Sequence, residues 1–354
     1  MKKKTLKYLA FFGNFNSSGI IQKIDNTVEA ASGIGYDAES KFYQNRLIGL
    51  ISCIRDLLLG REDIIIIRSY DLFMPFLFPV LLFRRFKGTK LILDVPTPRI
   101  IQLQELKFDQ KTKFHILMRT ILNYFSFTWI LFPFNRIIQY AEEGRWFSFG
   151  VNHKTIKMGN GIKISQDLPL IDLYKKTDEL QLIGVATLAA WHGYDRLIEA
   201  LVVIKHKYPN YRFKLKIVGE GAVLPSLKEL AKKHNLDNVV FTGALHGENL
   251  TLAFQEAHLG VASLGLFRIG LQEAAILKTR EYMARGLCVL GAGKDPDFPE
   301  ESPFRFLVSN DESIDSIVEM LLSLKIEDLP DPKEVRKFAE NNLSYASKIA
   351  KIIG

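Results

Sequence analysis

Two cysteines in 354 residues exclude a disulfide framework, and neither Cys53 nor Cys288 has a partner at metal-ligand spacing. Both lie in apolar runs, which points to a reducing, cytoplasmic setting. No apolar run reaches the roughly 18–20 residues needed to cross a bilayer. The longest uncharged stretch, Thr120–Phe134, contains Asn123, Ser126 and Pro133, and Leu72–Phe83 contains Pro75 and Pro79. Both suit a buried helix or one lying on an interface. The start, Met1-Lys2-Lys3-Lys4, has the charge of a signal peptide. The apolar stretch behind it, Tyr8–Phe12, is too short for one and reads as a first strand. Internal repeats, low-complexity tracts, a Ser/His/Asp order, a Walker loop and nucleic-acid-reading motifs are all missing.

What is present is an ordinary globular composition with an uneven charge. Residues 1–165 hold 24 Lys and Arg against 13 Asp and Glu, a net of +11; the remainder has 23 against 26, a net of −3. The first half also carries 17 of the 25 phenylalanines. A basic, Phe-rich half is consistent with an anionic, partly apolar partner, a membrane surface rather than nucleic acid, or with a solvated basic face over a Phe-rich core. The cluster Arg84, Arg85 and Lys87 beside an apolar helix is the sharpest local version of this pattern.

The length predicts two domains, and strands alternate with helices throughout. In the first half the strands are Leu6–Phe12, Ile64–Ile67, Lys90–Asp94 and Ile156–Met158, with helices to about Ala31, over Tyr43–Leu59 and over Phe73–Phe83. The polar stretch Lys163–Thr177 reads as a linker. The second half repeats the pattern with strands Leu182–Ala186, Phe213–Val218, Val239–Thr242, Leu259–Ala262 and Cys288–Leu290. Its helices span Tyr194–His206, Leu224–Lys233 and Asn249–Glu256, and Pro332–Ile353 reads as one amphipathic tail helix. These boundaries give domains at 1–165 and 178–335, with 336–354 a terminal helix able to return to the first domain.

The most informative segment runs from Glu273 to Gly286. It holds two glutamates separated by seven residues, with Lys278 between them, Glu281 on a short helix, a glycine stop and a buried strand behind. Two carboxylates suit two sets of sugar hydroxyls. A lysine and the free amides of a helix start suit the diphosphate between them. Other features carry two readings each. Gly219-x-Gly221 follows a strand but lacks the third glycine of a dinucleotide fingerprint, and a plain turn reads better. Asp295-Pro-Asp297 has the pattern that holds a diphosphate-bound cation, yet its Pro-rich loop favours a turn. His192 is either a packed imidazole or a phosphate or sugar contact. Asp94 either caps a turn or faces a ligand at a strand end.

Taken in order, these segments resemble the family-4 retaining glycosyltransferases of the GT-B fold, the type that builds bacterial capsule, exopolysaccharide and lipopolysaccharide. The similarity is carried by Gly13–Gly19, Asp94-Val-Pro96-Thr97-Pro98, Asn160-Gly161-Ile162, Trp191–Ile198, Ile217–Gly221, Val239–Gly243 and Glu273–Glu281. The resemblance implies two Rossmann-like domains with parallel sheets facing across a cleft. It also implies a nucleotide-diphosphate sugar donor and a lipid-linked or oligosaccharide acceptor at the inner face of the cytoplasmic membrane. No metal or other cofactor is implied. Glu281 would hold the ribose, Glu273 the donor sugar, and Lys278 the diphosphate, with amides at Gly19. Asp94 joins Glu273 and Lys278 as a catalytic candidate. Gly193 and Gly219 border the donor, and Gly243 to Leu245 the base. The sequence departs from the family where a phosphate-binding arginine and lysine are replaced by Thr187 and His192. That leaves Lys278, with Arg268 and Arg280, to carry the diphosphate charge, and a neutral His192 implies donor affinity that rises as pH falls. Two other functions fit the same fold: a sugar-nucleotide 2-epimerase, and a non-catalytic sugar-nucleotide-binding partner of a transferase.

Overall fold

A computed structural model describes residues 3–12, 18–44, 46–68, 73–95, 99, 117, 120–121, 124–125, 128–140, 143–172 and 179–354. The chain forms two compact units. The first comprises Met1–Met158 with Tyr345–Gly354, and the second comprises Gly159–Ser344. The segment around Ile162–Ile171 belongs to the second unit. Ile162 pairs with Ser344, and the amide of Ile171 donates to the Arg285 carbonyl at 3.0 Å.

The first unit is a six-stranded parallel sheet in the order β2-β1-β3-β4-β5-β6. Its strands are β1 (Thr5–Phe12), β2 (Asp37–Gln44), β3 (Ile64–Arg68), β4 (Lys90–Val95), β5 (Arg136–Gln139) and β6 (Thr155–Lys157). Central strands of such a sheet are covered on both faces, and Ile64–Ile67 is buried throughout. Strand β2 pairs only with β1 and is largely polar, as an edge permits. Helices α1 (Ser18–Gly33), α2 (Leu47–Leu59) and α3 (Met74–Phe86) follow the first three strands, and the short α4 (Arg145–Ser148) precedes β6.

The second unit has order β12-β11-β10-β7-β8-β9, again all parallel. Its strands are β7 (Leu180–Val185), β8 (Phe213–Val218), β9 (Val239–Gly243), β10 (Leu259–Val261), β11 (Cys288–Ala292) and β12 (Arg305–Val308). Helices α5 (Tyr194–Lys207), α6 (Leu224–Lys233), α7 (Gly247–Gln255), α8 (Leu277–Ala284), α9 (Asp315–Ser323) and α10 (Pro332–Asn342) complete it. The tail does not run as one helix. It breaks at Leu343-Ser344, and α11 (Tyr345–Ile353) packs Ile349, Ile352 and Ile353 into the first unit's core.

Both cysteines are free and buried, and burial pushes each thiol up to about 12. Among the described residues, no helix is long and apolar enough to cross a membrane. Residues 122–123 and 126–127 within Thr120–Phe134, and the loop at 13–17, lie outside the described residues.

Candidate functional site

In an open parallel sheet, ligands bind beyond the strand C-termini where the strand order reverses. In the second unit that point lies between β7 and β10, and the sequence opens it in a specific way. The two strands pair only at Leu182–Leu259 and Ile183–Gly260. Past that they part, leaving the Val185 amide and the Val261 carbonyl without each other. Tyr282 fills the gap. Its hydroxyl accepts from the Val185 N–H at 2.8 Å and donates to the Val261 carbonyl at 3.3 Å. Tyr194 reaches the same carbonyl at 3.4 Å. Glycines make room for both rings. A Cβ at Gly260 would lie 2.4 Å from Tyr282, and one at Gly184 would lie 2.7 Å from Tyr194.

The loops above this gap are stitched together. The amides of Leu264 and Gly265 donate to the carbonyls of His192 and Trp191 at 2.9 and 3.2 Å. Gly193 has φ +65°, and a Cβ there would meet the Leu264 backbone at 2.7 Å, so glycine is required on both counts. On the other side of β7, Gly219 has φ +128° and a Cβ there would fall 1.8 Å from the Ala186 carbonyl oxygen. Its amide donates to the Gly243 carbonyl at 2.8 Å. The Gly219-x-Gly221 turn therefore lets the loop 186–188 pass close by.

On this floor stands Lys278, in the first turn of α8. Its ammonium lies 5.5 Å from the centroid of the Tyr194 ring and makes no hydrogen bond among the described residues. Burial pushes its pKa down to about 7. His192 stacks on Tyr194 with centroids 5.8 Å apart, and its Nδ1 accepts from the Ala189 N–H at 3.1 Å. Burial first, and then the Lys278 charge, push His192 down to about 4. His192 is thus neutral near pH 7, and the expected pH response belongs to Lys278. Glu281 follows one turn later, with its side chain 41% exposed and Arg285 Nη2 at 3.6 Å. Glu273 sits half-buried in a loop that pairs with Lys294. Thr187 is exposed and adds no charge. Leu245 is half-buried against the second unit's core, just past the β9 end at Gly243.

Three expected residues are committed elsewhere. Arg280 is fully buried, bonded to both carboxylate oxygens of Asp295 and at 2.5 Å to Asp297. Asp297 in turn accepts from the Gly159 amide at 3.0 Å. The Asp295-Pro-Asp297 loop is therefore an arginine clamp, and Arg280 is withdrawn from the diphosphate set. Arg268 forks onto Asp195 at 2.9 and 2.8 Å and reaches Glu312 at 3.0 Å, so it braces α5 instead. Asp94, a catalytic candidate by its strand-end position, lies in the first unit with only 1% exposure. Its Oδ2 accepts from Tyr8 and, at 3.2 Å, from Arg68. It is a charge anchor in the first unit's core. Gly19 lies in the first turn of α1, with open space at its Cβ position.

Sequence reasoning missed Tyr194, Tyr282 and Arg285 as parts of this site. Arg285 had a signal in its i,i+4 spacing from Glu281. The tyrosines had none, because their role depends on where two strands part. Among the described residues no cluster of His, Cys, Asp and Glu could hold a metal ion.

Residues 172–342 match the family model described as "Glycosyl transferases group 1". The match lies within the second unit and spans most of it. No curated protein matches the sequence significantly. Among solved structures, the apo form of the lipopolysaccharide outer core galactosyltransferase WaaB aligns with TM-score 0.61 at 10% identity, covering 99% of each chain. A glycosyltransferase from Rickettsia africae ESF-5 aligns with TM-score 0.60 at 10% identity, over 100% of this chain and 97% of that one. WaaG, described as a glycosyltransferase of lipopolysaccharide biosynthesis, aligns with TM-score 0.54 at 12% identity, over 99% and 100%. At such identities the likeness is one of fold, and the fold is GT-B: two Rossmann-like domains, each a parallel sheet with interleaved helices.

Proposed function

We propose that the protein is a retaining glycosyltransferase that moves a sugar from a nucleotide-diphosphate donor to a lipid-linked saccharide in bacterial surface polysaccharide synthesis. The observation that carries this reading is Lys278: a buried ammonium without a partner among the described residues, between Glu273 and Glu281, above the strand gap of a glycosyl transferase domain. A buried cation is stabilised by an anion that enters. A diphosphate fits between two carboxylates that accept hydroxyls from the ribose, at Glu281, and the hexose, at Glu273.

In this reading the bond from the anomeric carbon to the diphosphate oxygen breaks as the acceptor oxygen attacks from the same face. The acceptor's proton passes to the leaving phosphate, so no protein base is needed. The protein supplies position and charge, with Lys278 and the α8 amides stabilising the leaving group. Lys278 offsets part of the diphosphate charge, and the reading calls for no divalent ion.

Peripheral attachment at the inner membrane face accompanies the proposal. The first unit exposes Leu47, Ile48, Ile51, Leu58 and Leu59 on α2, and Phe76, Phe83 and Phe86 on α3. Arg84 does not serve this face, since it is buried and bonds the Glu62 carbonyl and carboxylate at 2.9 Å each. Arg61 and Lys87 take its place, lining one depression with Leu58, Leu59 and Phe83.

The test is transfer from labelled UDP- and GDP-sugars to a membrane extract in the presence of a chelator. The expected result is lipid-soluble label with the anomeric configuration kept. Activity lost in chelator and restored by manganese would contradict the metal-free reading, and free sugar with no transfer would contradict the acceptor class.

A further inference from the structure

The first unit holds a buried charge cluster that the donor site does not use. Asp94, at the C-terminal end of β4, is its one carboxylate. Arg68, the last residue of β3, donates to Asp94 at 3.2 Å. Lys23, on α1, stands 4.0 Å from the same oxygen and 3.7 Å from the centroid of the Tyr140 ring. Tyr8, from β1, donates to Asp94 from below. Lys23 and Arg68 side chains are only 18% and 13% exposed. Two cations thus face one carboxylate, and the Tyr8 and Tyr140 hydroxyls also act on Arg68.

Such an imbalance is costly, because each buried charge needs a partner to offset its lost hydration. Among the described residues the Lys23 ammonium makes no hydrogen bond. Asp94 is already held by Arg68 and Tyr8, so Lys23 shares an occupied carboxylate. Burial pushes Lys23 down to about 8 despite that neighbour. The location is also telling. Arg68, Asp94 and Tyr140 all stand at strand C-termini, and Lys23 lies on the helix that follows β1. The strand order reverses between β1 and β3, so this is the ligand-binding edge of the first sheet.

We propose that Lys23 and Arg68 form a phosphate-binding subsite in the first unit, with Asp94 and Tyr8 as positioning residues that hold Arg68 in place. A phosphate monoester or diester supplies the missing negative charge and takes bonds from both cations. In the transfer reaction proposed above, the source is the phosphate of a lipid-linked acceptor; a free sugar phosphate has the same chemistry. The subsite itself does not depend on the donor reading.

Calorimetry on the Lys278→Met background tests it, because that change removes the second unit's cation from competition. Three probes are titrated: inorganic phosphate, glucose 1-phosphate and geranyl phosphate. At least one should bind with unit stoichiometry. Preference for geranyl phosphate marks a lipid acceptor, and preference for glucose 1-phosphate marks a soluble one. Adding Lys23→Met should weaken binding at least tenfold. That variant leaves Arg68 and Asp94 as a balanced pair, so its thermal unfolding midpoint should hold or rise. Lys23→Arg, which keeps the charge, should retain binding within a few fold. The proposal is overturned if none of the three phosphates binds, if affinity survives Lys23→Met, or if Lys23→Arg loses as much as Lys23→Met. The donor reading fails separately, by absence of nucleotide binding in the wild-type chain.

Discussion

Lys278 is the side chain whose ionisation ties the site to pH. Free, it titrates at about 7, because burial disfavours its charge. A bound diphosphate favours the charged form and raises that value. The binding contribution of the cation is therefore complete below pH 7 and is lost as pH rises through the higher, bound-state value. Affinity for a nucleoside diphosphate should fall from pH 7 to 9. Binding at pH 8 should take up a proton, as measured by calorimetry in buffers of different ionisation enthalpy. His192, pushed down to about 4, adds nothing over that range. Flat affinity and no proton uptake would remove Lys278 from the diphosphate site. The grouping of two glutamates and Lys278 in one segment was legible because residue types at fixed spacing are read directly from sequence. The engagement of Arg268 and Arg280 was not, because their partners lie 73 and 15 residues away in sequence.

At the scale of elements, the strand gap between β7 and β10 is the construction that makes the site. It leans on the Tyr282 hydroxyl. Tyr282→Phe keeps the ring that packs against Gly260 but strands the Val185 N–H and leaves the Val261 carbonyl with the Tyr194 hydroxyl at 3.4 Å. The expected loss is about 1–3 kcal/mol of stability, read by urea unfolding, since a buried group left unpaired costs its desolvation. A loss below 0.5 kcal/mol would show that water replaces the hydroxyl. Helices and strands with strong apolar patterns were readable from sequence. Phe213–Val218 and Leu224–Lys233 appear with the bounds their periodicity predicts. Three strands were not readable. Asp37–Gln44 is a polar edge without an apolar pattern, only its last two residues falling in the helical stretch Tyr43–Leu59, and Arg136–Gln139 and Arg305–Val308 are short and each opens on an arginine. The tail reads as one helix because both halves are amphipathic; only the surface each covers changes, from the second unit to the first.

For the whole molecule, the proposed membrane face rests on the basic balance of the first half and on the exposed apolar side chains of α2 and α3. Attraction of this face to anionic lipid should weaken with salt, at about 1 kcal/mol per basic residue near the surface. Vesicle flotation of the Arg61→Ser, Lys87→Ser double variant should show several-fold less bound protein at low ionic strength, and Leu59→Ser should add to the loss at every salt concentration. Wild-type protein that ignores anionic vesicles at low salt would leave the ridge without a membrane role. The central claim, that the second unit binds a nucleotide-diphosphate sugar across Glu273, Lys278 and Glu281, is tested most directly by titrating UDP and GDP into the wild-type chain and its Glu281→Gln variant in a chelator. The account predicts that one of the two nucleotides binds the wild type without metal, and that Glu281→Gln costs about 1–2 kcal/mol as a charge-assisted bond to ribose becomes neutral. Binding of neither nucleotide, or equal affinity in both proteins, would contradict it.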